Sequence, residues 1–122
     1  MYERFESWLD EKLEEGLPEH SQAVNFNLYE EEDGFSIQLI ASDRFDSEDD
    51  EWACYELYSS GEDIFFYENE DGWEAAQTQA IGLISEYLEK GRFAGTLLAL
   101  KGIAAGFIDG DLVYIYRREA EE

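Results

Sequence analysis

Nucleophilic and general-base chemistry would have to start from His20 and Cys54, the single histidine and single cysteine of the chain. His20 lies in Pro18-Glu19-His20-Ser21-Gln22, a polar connector, whereas a Ser/His/Asp or Cys/His arrangement needs the imidazole held against a nucleophile. A solvated loop histidine is expected. Cys54 falls in a β-rich run, on the same side as Trp52, Glu56 and Tyr58, with no basic residue close in sequence to stabilise a thiolate. That pattern predicts a packed structural cysteine.

Carboxylates are abundant enough to suggest metal binding or paired acid/base catalysis. The helix-loop-helix calcium loop needs acids at its first, third and fifth positions and glycine at the sixth. Placing Gly34, Gly72 or Gly110 sixth puts Tyr29, Tyr67 or Ala105 first, so the pattern fails at each. One His and one Cys cannot supply the usual four zinc ligands. What remains is an irregular cation site in the acidic 43–51 loop. With 31 Asp and Glu, carboxylate pairs carry no discriminating signal, and a run such as Glu30-Glu31-Glu32-Asp33 reads as a solvated turn. No phosphate-binding Gly-x-x-x-x-Gly-Lys-Ser/Thr run occurs. These residues assign no catalytic group, cofactor or metal, and a non-enzymatic protein is expected.

The elements that would position these groups follow from periodicity. Tyr2, Phe5, Leu9 and Leu13 recur at helical spacing with Trp8 beside them, and Gly16 and Pro18 supply a stop. Val24, Phe26 and Leu28 alternate with Asn25, Asn27 and Tyr29; after the polar turn 30–34, Phe35, Ile37, Leu39 and Ala41 alternate with Ser36 and Gln38. Two further strands are expected at Trp52 to Tyr58 and Ile64 to Glu68, which would complete a four-stranded antiparallel meander. Asp71 with Glu74 reads as a capping box for a helix striped by Trp73, Ala76, Ala80, Ile84, Tyr87 and Leu88 and ended by Gly91. Phe93, Leu97 and Leu100 suggest a short third helix. Ile103 to Ile108 and Leu112 to Tyr116 flank Asp109-Gly110-Asp111 as a C-terminal β-hairpin, followed by an acidic tail at 117–122. The expected fold is a single α+β domain over 1–122, with the helices on one face of the sheet.

Charge then limits the partners. The chain has 122 residues, 8 Lys+Arg against 31 Asp+Glu and a net charge of −23, yet it is 44% hydrophobic and 16% aromatic, too apolar for a disordered acidic chain. Direct nucleic-acid binding needs clustered Lys and Arg, and anionic membranes would repel this surface. The segment Met1 to Glu6 is acidic where a secretory leader would be basic and then apolar, so a cytoplasmic protein is expected. Residues 30–74 hold 17 acids and only Arg44 as a base. In an up-and-down meander the 43–51 loop and the exit at 68–71 share one end. That end would gather Asp43, Asp46, Glu48, Asp49, Asp50, Glu51, Glu68, Glu70 and Asp71, with Phe45 and Trp52 as apolar anchors. The opposite end would hold Glu30, Glu31, Glu32, Asp33, Glu62 and Asp63.

In size, charge and element order the chain resembles the small acidic immunity proteins that bacteria encode beside secreted polymorphic toxins. That resemblance implies an intracellular inhibitor that binds a toxin domain tightly and performs no catalysis. Electrostatics points the same way, to a basic protein partner whose nucleic-acid-binding surface is masked. The alternative is a small-molecule or divalent-cation binder with an aromatic pocket lined by Tyr55, Tyr58, Phe65 or Tyr67.

Overall fold

Apolar residues at positions 5, 9 and 13 place one buried stripe on the first helix, α1 (Tyr2–Glu14), and Gly16 follows it with φ +86°, a conformation that favours glycine. The computed structural model describes residues 1–46, 48–108 and 110–117. Strict alternation makes β1 (Ala23–Glu31) and β2 (Gly34–Ser42) an uninterrupted antiparallel pair, from Ala23 opposite Ser42 to Glu31 opposite Gly34, closed by Glu32-Asp33. The described residues form an α+β fold of three α-helices, one 3-10 helix and a six-stranded sheet.

The four-stranded meander is not formed. Residues Asp50–Cys54 are a 3-10 helix, and the strand expected from Trp52 begins only at β3 (Glu56–Ser59). Next comes β4 (Phe65–Tyr67), which pairs not with β3 but with β2. Ser59 lies opposite Ile40 and Glu56 opposite Ser42, whereas Phe65 lies opposite Ile37 and Tyr67 opposite Phe35. The two strands therefore run along one edge of β2 in a single direction, interrupted by a loop at 60–64. Hydrogen bonding explains why Ser59 to Asp63 does not reverse the chain. The Ser60 N–H donates to the Leu39 carbonyl, and the Leu39 N–H donates back to Ser60 Oγ, so the segment keeps its hold on β2. The bulging loop is fastened from α1, where Trp8 Nε1 donates to the Asp63 carbonyl and the buried Lys12 ammonium pairs with the Asp63 carboxylate.

Helix α2 (Trp73–Lys90) carries the chain across to β5 (Gly102–Phe107), through the short α3 (Ala94–Leu98). The N-cap of α2 is Gly72, at φ +101°, and no side chain caps it, so the expected capping box of Asp71 and Glu74 is absent. Asn69 Oδ1 instead accepts from the Asp71 N–H in the preceding turn. β5 runs parallel to β1, Ala23 opposite Gly102 and Leu28 opposite Phe107, and β6 (Val113–Arg117) pairs antiparallel with β5. The sheet is thus mixed, ordered β3-β2-β1-β5-β6 with β4 beside the far half of β2. Of the expected C-terminal features, Asp109 and the tail beyond Arg117 lie outside the described residues.

Helices α1 and α2 cover one face. Phe5, fully buried, touches Trp8 and Tyr87 from the helices and Phe26 and Phe65 from the sheet, with ring centroids 5.4 to 6.5 Å apart. Trp73, expected in the α2 stripe, is 55% exposed, and Leu83 joins the apolar face in its place. Tyr67 is fully buried and donates to the Ala76 carbonyl at 2.7 Å, joining β4 to the first turn of α2.

Phe5→Ala is expected to cost about 3–5 kcal/mol in urea unfolding, because it leaves a cavity among four rings that cannot all collapse inward. Alkali should also unfold the protein. Burial raises the pKa of Tyr67, burial and the bond to Asp10 raise that of Tyr87, and the Asp63 hydrogen bond raises that of Lys12. The folded state then holds protons that the unfolded chain has already released. Stability conferred by these groups is full below about pH 10 and falls as pH rises further. Tyr67→Phe should flatten that decline in urea midpoints measured at successive pH values.

Candidate functional site

Period-two alternation sends Ala23, Asn25, Asn27 and Tyr29 of β1 to the face opposite the helices. Toward the Ser42 and Gly102 end, residues 43–46 and 48–54 fold back over that face. Trp52 is 2% exposed there and packs on Ala23 and Ala104, with Phe45 and Tyr114 partly buried against it. Its Nε1 donates to the Tyr114 hydroxyl at 3.0 Å, and that hydroxyl donates to Asp50 Oδ1 at 2.7 Å. Ser42 Oγ donates to the Trp52 carbonyl at 2.8 Å. The Phe45 ring occupies the place where a Cβ on Gly102 would sit, so a side chain there would displace it. Trp52 is therefore the centre of a second small core, and neither it nor the half-buried Phe45 is a free anchor. Cys54 is also relocated: at the end of the 3-10 helix it is exposed rather than packed.

Asp43, Asp46, Glu48, Asp49, Asp50 and Glu51 are exposed around this cover; Ser47 lies outside the described residues. Asp46 Oδ1 accepts from the Glu48 N–H and Asp49 Oδ1 from the Glu51 N–H, both at 2.9 Å, so two of the acids shape the loop. Arg44 lies 4.0 Å above the Tyr55 ring and 3.6 Å from Asp43.

Glu68, Glu70 and Asp71 do not join them. Because β3 and β4 run in one direction along β2, the chain leaves β4 beside Gly34, at the hairpin end of the sheet. A Cβ on Gly34 would meet the Tyr67 carbonyl oxygen at 2.5 Å, which shows how closely the two segments pass. The exit acids thus belong with Glu30, Glu31, Glu32 and Asp33. The grouping expected from a meander fails because the chain does not reverse at 59–63.

Two clefts open beside β1 and β5, with Tyr29, Phe107, Ile108 and Gly110 common to their linings. The larger, about 720 Å³, is lined by Trp73, Gln77, Phe107, Ile108 and Val113 together with Glu30 and Asp111. Ile108 is 58% and Val113 40% exposed, and Trp73 meets Phe107 edge-on at 5.9 Å. The smaller cleft, about 440 Å³, runs over Asn25, Asn27 and Tyr29, with Asp50, Glu51 and Glu56 as well as Ile108 and Leu112 in its lining. Loop 110–112 crosses close above the sheet there: a Cβ on Gly106 would stand 2.7 Å from the Asp111 carbonyl oxygen.

No family model, curated protein or solved structure matches the chain. Geometry alone therefore describes the surface. The aromatic pocket expected from Tyr55, Tyr58, Phe65 and Tyr67 is not formed, because Phe65 and Tyr67 fill the helix-side core, Tyr58 packs against it and Tyr55 is 41% exposed. Among the described residues no three metal-ligating side chains gather. His20 is exposed, with φ +77°. Trp73, Ile108 and Val113 are not legible in sequence as surface groups, because their periodicity matches that of core residues.

Tyr114→Phe should cost about 1–3 kcal/mol in urea unfolding, because the largely buried Trp52 N–H then has no acceptor and Asp50 loses its tie to β6. Tyr114→Ala should cost more.

Proposed function

We propose that the chain is a non-catalytic acidic protein-binding module, an inhibitor of immunity type that masks a basic, nucleic-acid-binding or nuclease surface of a partner. The observation that carries this reading is an exposed apolar cluster, Trp73, Ile108 and Val113, set against an end of the sheet where segments 30–34 and 68–74 contain eight carboxylates and no Lys or Arg. Apolar residues ringed by charge of one sign suit a partner with apolar groups amid cationic ones.

The 43–51 loop forms a second acidic surface at the opposite end, with Asp43, Asp46, Glu48, Asp49, Asp50 and Glu51 arrayed on a scaffold held by Phe45 and Trp52. Long-range steering by such surfaces raises association rates about 10- to 1,000-fold at low salt. Burial of the apolar cluster slows dissociation. In this reading Glu68, Glu70 and Asp71 act beside Trp73 rather than beside the loop, and the carboxylates stand in for the phosphates that the partner would otherwise bind.

The test begins with basic proteins retained at low salt on the immobilised chain, identified and assayed for nucleic-acid binding or cleavage. One of them should be inhibited at one-to-one stoichiometry. Replacing Asp46, Asp49 and Asp50 by Asn and Glu48 by Gln, which removes the charge and keeps the side-chain oxygens that accept from the Glu48 and Glu51 N–H groups and from Tyr114, should slow association with it and flatten the salt dependence without unfolding the domain. Trp73→Ala should speed dissociation by about tenfold or more, the scale of an interface hot spot. Retained proteins whose activity is untouched, or binding indifferent to salt and to all these substitutions, would exclude the reading.

A further inference from the structure

We infer, on the strength of the function proposed above, that the larger cleft receives an arginine side chain of the partner protein. Its guanidinium stacks against Trp73 and Phe107, and its N–H groups turn to Glu30 and Asp111.

The exposed rings point to a cation. Trp73, the first residue of α2, is 55% exposed, and its ring plane stands at 90° to that of Phe107, the last residue of β5, with centroids 5.9 Å apart. Tyr29 adds a third ring to the lining. Two ring planes at a right angle form a corner where a cation meets π-density from both, within the reach of about 6 Å over which such rings attract a guanidinium. Arginine already takes such places within this chain. The Arg44 guanidinium lies 4.0 Å over Tyr55 with Asp43 3.6 Å away, Arg4 lies 5.1 Å over Phe65, and Arg92 lies 5.0 Å over Phe93. Among the described residues no cation of the chain stands over Trp73 or Phe107, and no Lys or Arg lines the cleft. The corner is left to a cation from outside.

The rest of the lining selects which cation. Leu28, Ile108 and Val113 suit the methylene stem of an arginine, while the exposed carboxylates of Glu30 and Asp111 supply acceptors. A guanidinium is planar and weakly hydrated, so it lies flat on a ring and still directs N–H groups outward in its own plane; an ammonium is compact and holds its water. The volume, about 720 Å³, falls within the range of about 300–1,000 Å³ usual for ligand pockets and leaves room for main chain on either side of the arginine. An arginine seated here is withdrawn from phosphate, which is how occupancy of the cleft would inhibit a nucleic-acid-binding partner.

Blocked Gly-Arg-Gly, Gly-Lys-Gly and Gly-citrulline-Gly peptides are titrated into the intact protein and followed by NMR, through the Trp73 indole N–H and the peptide methylene protons. The arginine peptide should shift the indole signal saturably and have its own methylene protons moved upfield by the rings. The lysine peptide should bind at least about tenfold more weakly, and the citrulline peptide, uncharged and of the same shape, should not saturate. Trp73→Leu, which keeps an apolar side chain at an exposed position, should remove the methylene shifts, and Glu30→Gln with Asp111→Asn should weaken binding about tenfold or more. No saturable shift, equal binding of the lysine or citrulline peptide, or binding unchanged in Trp73→Leu or in the amide double variant would overturn the inference. A basic partner that is retained and inhibited while the arginine peptide leaves Trp73 unmoved overturns this inference and leaves the proposed function standing. A seated arginine peptide with no basic protein retained overturns the proposed function and supports the arginine site.

Discussion

The structure depends on β1 being paired along both edges and covered on both faces. It bonds antiparallel to β2 and parallel to β5, and its first four residues, Ala23, Val24, Asn25 and Phe26, are all buried. A strand in that position cannot use solvent to satisfy polar groups. The helix side is filled with apolar volume, from Phe5, Ile84 and Tyr87. The other side is closed by Phe45 and the 3-10 helix through Trp52, and where that cover stops, the strand presents a row of amides.

The charge distribution follows from the same constraint. Burying an unpaired carboxylate is costly, so the acids lie on the outer surfaces of α1 and α2 and in the connections of the sheet. Lys12 is the instructive exception, a cation buried against the core side and held there by the Asp63 carboxylate. That pair fastens the loop between β3 and β4, and the loop in turn decides that the chain leaves β4 at the hairpin end. The placement of acid on the surface is therefore linked to the bonds of Ser60 with Leu39 and to the hold of Trp8 and Lys12 on Asp63.

The elements legible beforehand were those with strong local patterns. Phe5, Leu9 and Leu13 identified α1, the alternation at 24–41 identified β1 and β2, and Ala76 to Tyr87 identified α2. The rest of the sheet was less accessible. Trp52 to Tyr58 has the composition of a strand, yet its first residues wind into a 3-10 turn because Trp52 packs on Ala23, Ala104 and Tyr114, residues distant in sequence. Trp73 carries the helical period and is still exposed to solvent. Cys54, placed inside by its neighbours' pattern, is carried outside by the same turn.

Local sequence determined the helices α1 and α2 and the strands β1 and β2, how much charge the chain carries and which stretches hold it, because periodicity and composition act between near neighbours. Tertiary structure alone decided which connections share an end, that β5 lies parallel to β1, that Trp52 is core and Trp73 surface, and that Asn25 is buried with an acceptor unmet. Those outcomes are set by pairing and packing between residues tens of positions apart, and no local pattern encodes which distant partner wins.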